Sequence, residues 1–291
     1  MTEIRTIAIF GSSGKVGSAL STAFAKGRYT LVPITRATCD VRDHDQVRRR
    51  LQQIKPELVI NAAAFNGVDA CEKDPHQALL VNTLFPRLLA ELSASQGFLL
   101  VHISSDAVFS GTGRETYAES SAASPINLYG FTKYGADCFI TAIAHRYYIA
   151  RISVQFGITT GSPQFVEKML ERMQRSTEPL RISNDIVASP SYSQDVATAI
   201  RGLVEEKRPF GLYHLVNEGE ASLWELIQEL DRIMGLKAAV KPVSHEVFPS
   251  LGLKNRHTPL RSEKVPPLRP WREALRAYCT ELQPEKGRIH G

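Results

Sequence analysis

Cysteine is scarce in this 291-residue chain, and its four residues (Cys39, Cys71, Cys138, Cys279) form no C-x-x-C pair. That excludes a disulfide-stapled scaffold and fits thiols kept in a reducing compartment. Long hydrophobic runs are also missing: no apolar stretch approaches the ~20 residues needed to cross a bilayer. The first five residues pass directly into Thr6-Ile7-Ala8-Ile9-Phe10 with no signal-peptide pattern. No solenoid repeat or low-complexity tract interrupts the chain. What is present, 43% hydrophobic and 22% charged residues, excludes a disordered or collagen-like chain. The expectation is a soluble cytoplasmic protein with one large domain or two modest ones.

The net charge of +5 is local. Residues 254–272 hold six basic side chains (Lys254, Arg256, Arg261, Lys264, Arg269, Arg272) against one acid, Glu263, a surplus equal to that of the whole chain. A nucleic-acid binder would spread its basic residues over a motif with aromatic platforms, and none is seen here. Pro259, Pro266, Pro267 and Pro270 punctuate the segment. Two readings stand: a solvated surface loop, or a cationic rim for an anionic substrate such as a nucleotide diphosphate.

Continuous apolar runs at 6–10, 30–34, 58–62, 98–104 and 148–152 read as strands covered on both faces. Helical patterns lie between them. Asp43 precedes the one at 44–54, and Asp74-Pro75 opens a long amphipathic run to about 95, an N-cap followed by a proline where no donor is lost. This alternation predicts an α/β fold with a doubly wound parallel sheet of Rossmann type. Beyond it come a helix at 193–207, a strand at 211–216 and a helix at 222–234 opened by Ser222 with Glu225 at capping-box spacing. A last helix follows at about 273–282. Residues 1–155 are expected to form the dinucleotide domain, with a return segment near 186–216, and 156–291 mainly a smaller substrate lobe.

The first strand runs into Gly11-Ser12-Ser13-Gly14-Lys15-Val16-Gly17. Glycines at a strand-to-helix turn let the backbone approach a pyrophosphate, and the following helix start supplies free N–H groups. A bare tight turn would look similar, but this one follows the first strand and opens a helix at 16–28, as dinucleotide binding requires. No acid closes the second strand; Thr35-Arg36 stands there. An arginine at that place accommodates the 2′-phosphate of NADP or is simply a surface residue, so NADP(H) is preferred and NAD(H) also fits. Asp40-Val41 would border the adenine.

Tyr129 and Lys133 are four apart on a helical pattern and share a face. A cation nearby favours the phenolate, so Lys133 is expected to lower the Tyr129 pKa for proton exchange with a carbonyl oxygen. Of nine tyrosines only Tyr129 has a lysine four residues on. Ser104-Ser105-Asp106 closes the fourth strand, where a hydroxyl can reach the same oxygen.

Together these residues resemble the extended short-chain dehydrogenase/reductase superfamily, and within it the dTDP-4-dehydrorhamnose reductases, over nearly the whole chain. The likeness rests on Asn61-Ala62-Ala63-Ala64, Val68-Asp69-Ala70-Cys71-Glu72, Val81-Asn82-Thr83, the segment from His102 through Ser105-Asp106 to Gly111, Asn127-Leu128-Tyr129-Gly130, Ser189-Pro190-Ser191-Tyr192 and Gly211-Leu212-Tyr213-His214. The resemblance implies NADP(H)-dependent reduction of a nucleotide-linked 4-keto-6-deoxy sugar, in dTDP-rhamnose or related carbohydrate biosynthesis. Hydride would go to C4, with Tyr129 as proton donor, Lys133 holding the nicotinamide ribose and Ser105 orienting the carbonyl. It further implies cofactor contacts from Gly11, Ser13, Gly14, Lys15, Val16, Gly17, Arg36, Asp40, Val41, Ala62, Ala63, Ala64 and Asn82. Substrate contacts would come from Ser105, Asp106, Val154 and Arg256.

Departures from the family pattern are specific. Serine replaces the usual threonine at 105 and keeps the hydroxyl. Val154 stands where the reductases carry a tryptophan near the sugar, which changes the pocket and the sugar it takes. Arg256-His257 replaces an Arg-Pro pair. The acids that share magnesium in some members are unmatched, so no metal is expected. His214 sits in a strand pattern and reads as structural. A homodimer is compatible with the resemblance. Two other readings share the fold: a non-catalytic NADP-binding regulatory subunit like that of methionine adenosyltransferase, and a nucleotide-sugar epimerase. A dehydratase would follow Asp106 with a second acid, and Ala107 is there instead.

Overall fold

Five apolar runs fold as β1 (Thr6–Phe10), β2 (Thr30–Ile34), β3 (Leu58–Asn61), β4 (Leu99–Ser105) and β5 (Tyr147–Ile152) in a computed structural model that describes residues 3–159, 161–175 and 178–283. A sixth strand, Gly211–His214, joins them, and the order is Gly211–His214, β5, β4, β3, β1, β2, all parallel. β3 and β4 are buried along their whole length, as strands covered on both faces must be. β2 lies at the edge and is half exposed, which is why it tolerates Pro33, a residue with no N–H to offer a further neighbour.

The helices are α1 (Lys15–Ala25), α2 (His44–Ile54), α3 (Val68–Lys73), α4 (Pro75–Leu79), α5 (Phe85–Gln96), α6 (Leu128–Ile143), α7 (Phe165–Arg175), α8 (Ser193–Glu205), α9 (Leu223–Met234) and α10 (Trp271–Leu282). Asp43 caps α2 by accepting from the Gln46 N–H, and Asp74 caps α4 by accepting from Gln77. The run expected from Asp74 to about 95 is helical throughout, but it widens into a π turn at Leu80–Leu84 between α4 and α5. Pro86 explains the widening: it has no N–H to return to the preceding turn. α1 and α8 pack on one face of the sheet, in a cluster with Leu20, Phe24, Val196 and Ile200; α2, α5 and α6 cover the other through Val47, Leu51, Leu89 and Ile140.

A second apolar cluster lies beyond β5. Phe156, Val166, Leu170, Tyr192, Leu226, Leu230, Trp271, Leu275 and Tyr278 meet there, drawn from α7, α9, α10 and the short paired strands Gln155–Phe156 and Ser191–Tyr192. A parallel pair of strands, Leu180–Ser183 with Val240–Val243, borders it. Ser222 and Glu225 form the capping box that starts α9. The basic segment is not an idle loop. Arg269 grips Asp195 at 2.8 Å, Lys254 reaches Asp69 at 3.7 Å, Arg261 meets Glu263 at 3.1 Å, and Lys264 donates to the Leu212 carbonyl. Of the cysteines, Cys39, Cys71 and Cys279 are buried, and Cys138 on α6 is exposed.

Candidate active site

The strand order reverses between β1 and β3, so the loops leaving those two strands part and open a crevice. Gly11 to Gly17 follows β1 and Ala62 to Ala64 follows β3. Gly11 has φ 73°, and a Cβ there would lie 2.6 Å from the Ala63 nitrogen, so only glycine lets the two loops pass. Gly17 plays a packing part: a Cβ on it would meet the Gly11 carbonyl oxygen at 2.1 Å. No side chain caps α1 at Gly14, which leaves its first N–H groups and its positive dipole end turned to the crevice.

One end of the crevice is a cavity of about 270 Å³ lined by Gly11, Ser13, Gly14, Arg36, Asp40, Val41, Ala62, Ala63 and Ala64, the sequence-predicted cofactor residues, together with Arg42 and Gln77. Arg36 is exposed. Asp40 takes two hydrogen bonds from Arg42 Nε, at 2.8 and 2.9 Å, and this pairing holds its carboxyl at about 2. Sequence reasoning missed Arg42, which carries no recognisable spacing.

The other end is a cavity of about 180 Å³ that shares Gly14, Ala62, Ala64 and Asn66 with the first. Tyr129, Lys133, Ser105, Lys15 and Val16 line it, as do Ser153, Gln155 and Gln164, which the sequence did not single out. Helix α6 delivers Tyr129 and Lys133. Its cap, Asn127, accepts from the Gly130 N–H at 2.9 Å and donates to the Leu253 carbonyl and to Asn255, tying the helix start to that distant stretch of chain. A Cβ on Gly130 would lie 2.1 Å from the Ala107 carbonyl, so glycine lets α6 sit against the turn after β4. That contact brings Tyr129 and Ser105 together in the lining of the same cavity.

Burial pushes the phenol of Tyr129 up to about 12; Ser105 opposes the shift, while Asp106 and Cys71 reinforce it. The expectation that Lys133 lowers it is therefore corrected. Lys133 is 2% exposed, and its ammonium donates inward to the Ile103 carbonyl at 2.6 Å, with His102 Nε2 at 3.5 Å. Burial draws Lys133 down to about 8, against the pull of Asp137 one turn further along α6. Asp137 in turn pairs with Arg151 at 3.0 Å, both nearly inaccessible. The i+4 spacing from Lys133 to Asp137 was the signal available for this support.

Ser105 caps a short turn by accepting from the Ala107 N–H and donates to Asp106 Oδ1 at 3.1 Å. The other oxygen of Asp106 accepts from Ser153 Oγ at 2.7 Å and Thr258 Oγ1 at 2.9 Å. One carboxylate thus joins the ends of β4 and β5 to the late segment at Thr258. Burial raises its pKa and the three hydroxyls oppose that.

Other predicted residues lie elsewhere. Asn82 is fully buried and brackets the Phe65 backbone, accepting from its N–H at 2.8 Å and donating to its carbonyl at 3.0 Å, so it shapes the loop after β3 without lining the crevice. Val154 packs on the second-lobe cluster. Arg256 lines a separate cavity of about 650 Å³ with Arg114, Asp185, Glu220 and His257. His214 ends its strand with Nδ1 3.0 Å from the Arg261 carbonyl, and burial takes it down to about 4, a neutral structural imidazole. Among the described residues no group of three or more His, Cys, Asp or Glu could hold a metal ion, and no helix is long and apolar enough to cross a membrane.

A family model described as the RmlD substrate binding domain matches residues 5–283. The chain belongs to that family. A relative in Mycolicibacterium smegmatis, named dTDP-4-dehydrorhamnose reductase, is 32% identical over 92% of this chain and 83% of its own. Another, from Streptomyces niveus and named dTDP-4-keto-6-deoxy-D-glucose reductase, is 31% identical over 94% of each. The crystal structure of dTDP-4-dehydrorhamnose reductase from Bacillus anthracis in complex with NADP superposes with a TM-score of 0.90 at 28% identity, covering 96% of this chain and 100% of that one.

Proposed function

We propose that this RmlD-family chain is an NADPH-dependent reductase of a nucleotide-linked 4-keto-6-deoxy sugar, of the dTDP-4-dehydrorhamnose reductase type. One juxtaposition carries the reading: Tyr129, Ser105 and Lys133 line a cavity that opens into the dinucleotide crevice at Gly14, Ala62, Ala64 and Asn66. The names of the relatives and the NADP in the Bacillus anthracis structure support it.

The residues fit the cofactor. The uncapped start of α1 suits a pyrophosphate, and the exposed Arg36 offers a 2′-phosphate a cation. When bound, NADPH supplies a hydride to C4 of the sugar. Tyr129 keeps its proton throughout the neutral range and donates it to the carbonyl oxygen as negative charge develops there, so the carbonyl becomes a secondary alcohol. Ser105 orients the carbonyl, and Asp106, fixed by Ser153 and Thr258, holds Ser105 in place. Lys133, in the lining of the same cavity, would hold the nicotinamide ribose. Arg256, in the separate cavity two residues before Thr258, would offer a cation to the diphosphate.

The test is NADPH oxidation by the purified protein with dTDP-4-keto-6-deoxy-L-mannose and a panel of its C3 and C5 epimers, with Tyr129→Phe as control. Stoichiometric oxidation, lost in the variant, is expected. NADPH binding without oxidation of any 4-keto sugar would overturn the reductase and favour a regulatory subunit. Sugar interconversion with no net NADPH use would favour an epimerase.

A further inference from the structure

Lys15 stands inside the glycine-rich turn, yet its side chain does not end there. Only 2% of the residue is exposed, and the ammonium leaves the first lobe to reach Glu167 Oε2 on α7 at 2.8 Å and the Gln155 carbonyl at 2.7 Å. The same oxygen of Glu167 also accepts from the Gln164 N–H at 3.0 Å. Glu167 Oε1 is buried with no hydrogen-bond partner among the described residues, so the carboxylate depends on Lys15 for its charge balance. Two further contacts follow the same line. Thr159 donates its hydroxyl to the Ser13 carbonyl at 3.3 Å, and Gly161 approaches that carbonyl so closely that a Cβ would lie 2.8 Å from it. The start of the second lobe therefore rests directly on the turn that would hold the cofactor phosphates. Gln155, Gln164 and Lys15 also line the catalytic cavity.

We propose that Lys15 is a positioning residue for the reduction, acting through Glu167 to pin Gln155, Gln164 and α7 over the phosphate turn, so that the cofactor site and the substrate lobe are set as one unit. This rests on the reductase reading given above. A cofactor-turn lysine acting only on phosphate would end in the crevice, exposed and without a buried carboxylate. Here the cation is enclosed, and its partner lies on the element that carries the far wall of the cavity. Burial lowers the Lys15 pKa and Glu167 restores part of it, as an enclosed pair requires.

The experiment is a double-mutant cycle with Lys15→Met, Glu167→Gln and the double variant, with Lys15→Gln as a milder change should the first fail to fold. NADPH Kd is read by nicotinamide fluorescence without sugar, α7 amide protection by hydrogen exchange, and sugar KM and kcat by turnover. Each single variant is expected to raise both NADPH Kd and sugar KM by about tenfold, with kcat changed much less, and to speed exchange in α7. The double variant should be no worse than either single one, because the pair acts as a unit. Three results would overturn the inference: losses that multiply in the double variant, a Lys15→Met loss confined to NADPH Kd with Glu167→Gln unaffected, or α7 protection unchanged in all variants. If the unaltered protein binds no NADPH, the reductase reading fails instead, and the cycle separates the two cases.

Discussion

Tyr129 and Lys133 are one helical turn apart, and burial moves them in opposite directions, the phenol up to about 12 and the ammonium down to about 8. The phenol is thus a proton reservoir at neutral pH. Replacing Tyr129 with Phe removes the donor and little else, so kcat should fall by ~10²–10⁴-fold with NADPH Kd nearly unchanged; steady-state turnover beside a fluorescence titration checks both. The lysine makes the pH dependence two-sided. Its ordinary value is 10.5, so between about 8 and 10.5 the unfolded chain binds more protons than the folded one. The contribution of this group to stability therefore rises with pH across that window, while below it the fold carries a buried cation. Activity should move the other way, with kcat/KM falling as pH rises through about 8 and the ammonium is lost. A kcat/KM flat across that point would remove Lys133 as the titrating group. At the adenosine end, Arg36→Asp should weaken NADPH more than NADH by about tenfold or more, since only NADPH carries the 2′-phosphate; equal losses for the two cofactors would count against that contact.

Helix α6 is the element that matters most to the site, because its cap, its glycine and its two functional side chains all lie within two turns. Asn127→Ala removes the cap and the two bonds to residues 253 and 255, so a loss of about 1–2 kcal/mol is expected. Thermal melting should show it as a fall of roughly 2–8 °C. At this scale the sequence was widely legible. β1 and β2 lie where their apolar runs placed them, and Asp43, Asp74 and Ser222 cap the helices their spacing announced. The glycine turn and the Tyr129–Lys133 pair were legible because a turn or a helix face is encoded within a few consecutive residues. Ser153, Thr258, Gln155 and Gln164 were hidden for the converse reason. Each is a single polar residue, and only tertiary packing brings it to Asp106 or to the cavity from far along the chain. The inward turn of Lys133 was also invisible, since spacing says which face a side chain shares but not which carbonyl it meets.

Across the whole molecule, the +5 excess is largely absorbed by the fold. Arg269, Lys254 and Lys264 fasten the late basic segment to α8, α3 and the sixth strand of the sheet, Arg261 pairs with Glu263 inside the segment, and Arg256 stands exposed beside a cavity. The segment is also joined to the site itself by the Thr258 hydroxyl on Asp106. Thr258→Val, close in volume but without that donor, should raise sugar KM several-fold while NADPH Kd stays within about twofold, because the contact holds Asp106, which braces Ser105 and does not line the dinucleotide cavity. Matched rises in both constants would show that the threonine supports the entire crevice. The placement of the thiols has a practical outcome. Three are sealed in the interior, while Cys138 looks outward from the helix that carries Tyr129 and Lys133, its own side chain remote from the lining of the crevice. A maleimide dye added to the native protein should therefore attach at one place. It would turn the unmutated enzyme into a fluorescent reporter of the catalytic helix while ligands come and go.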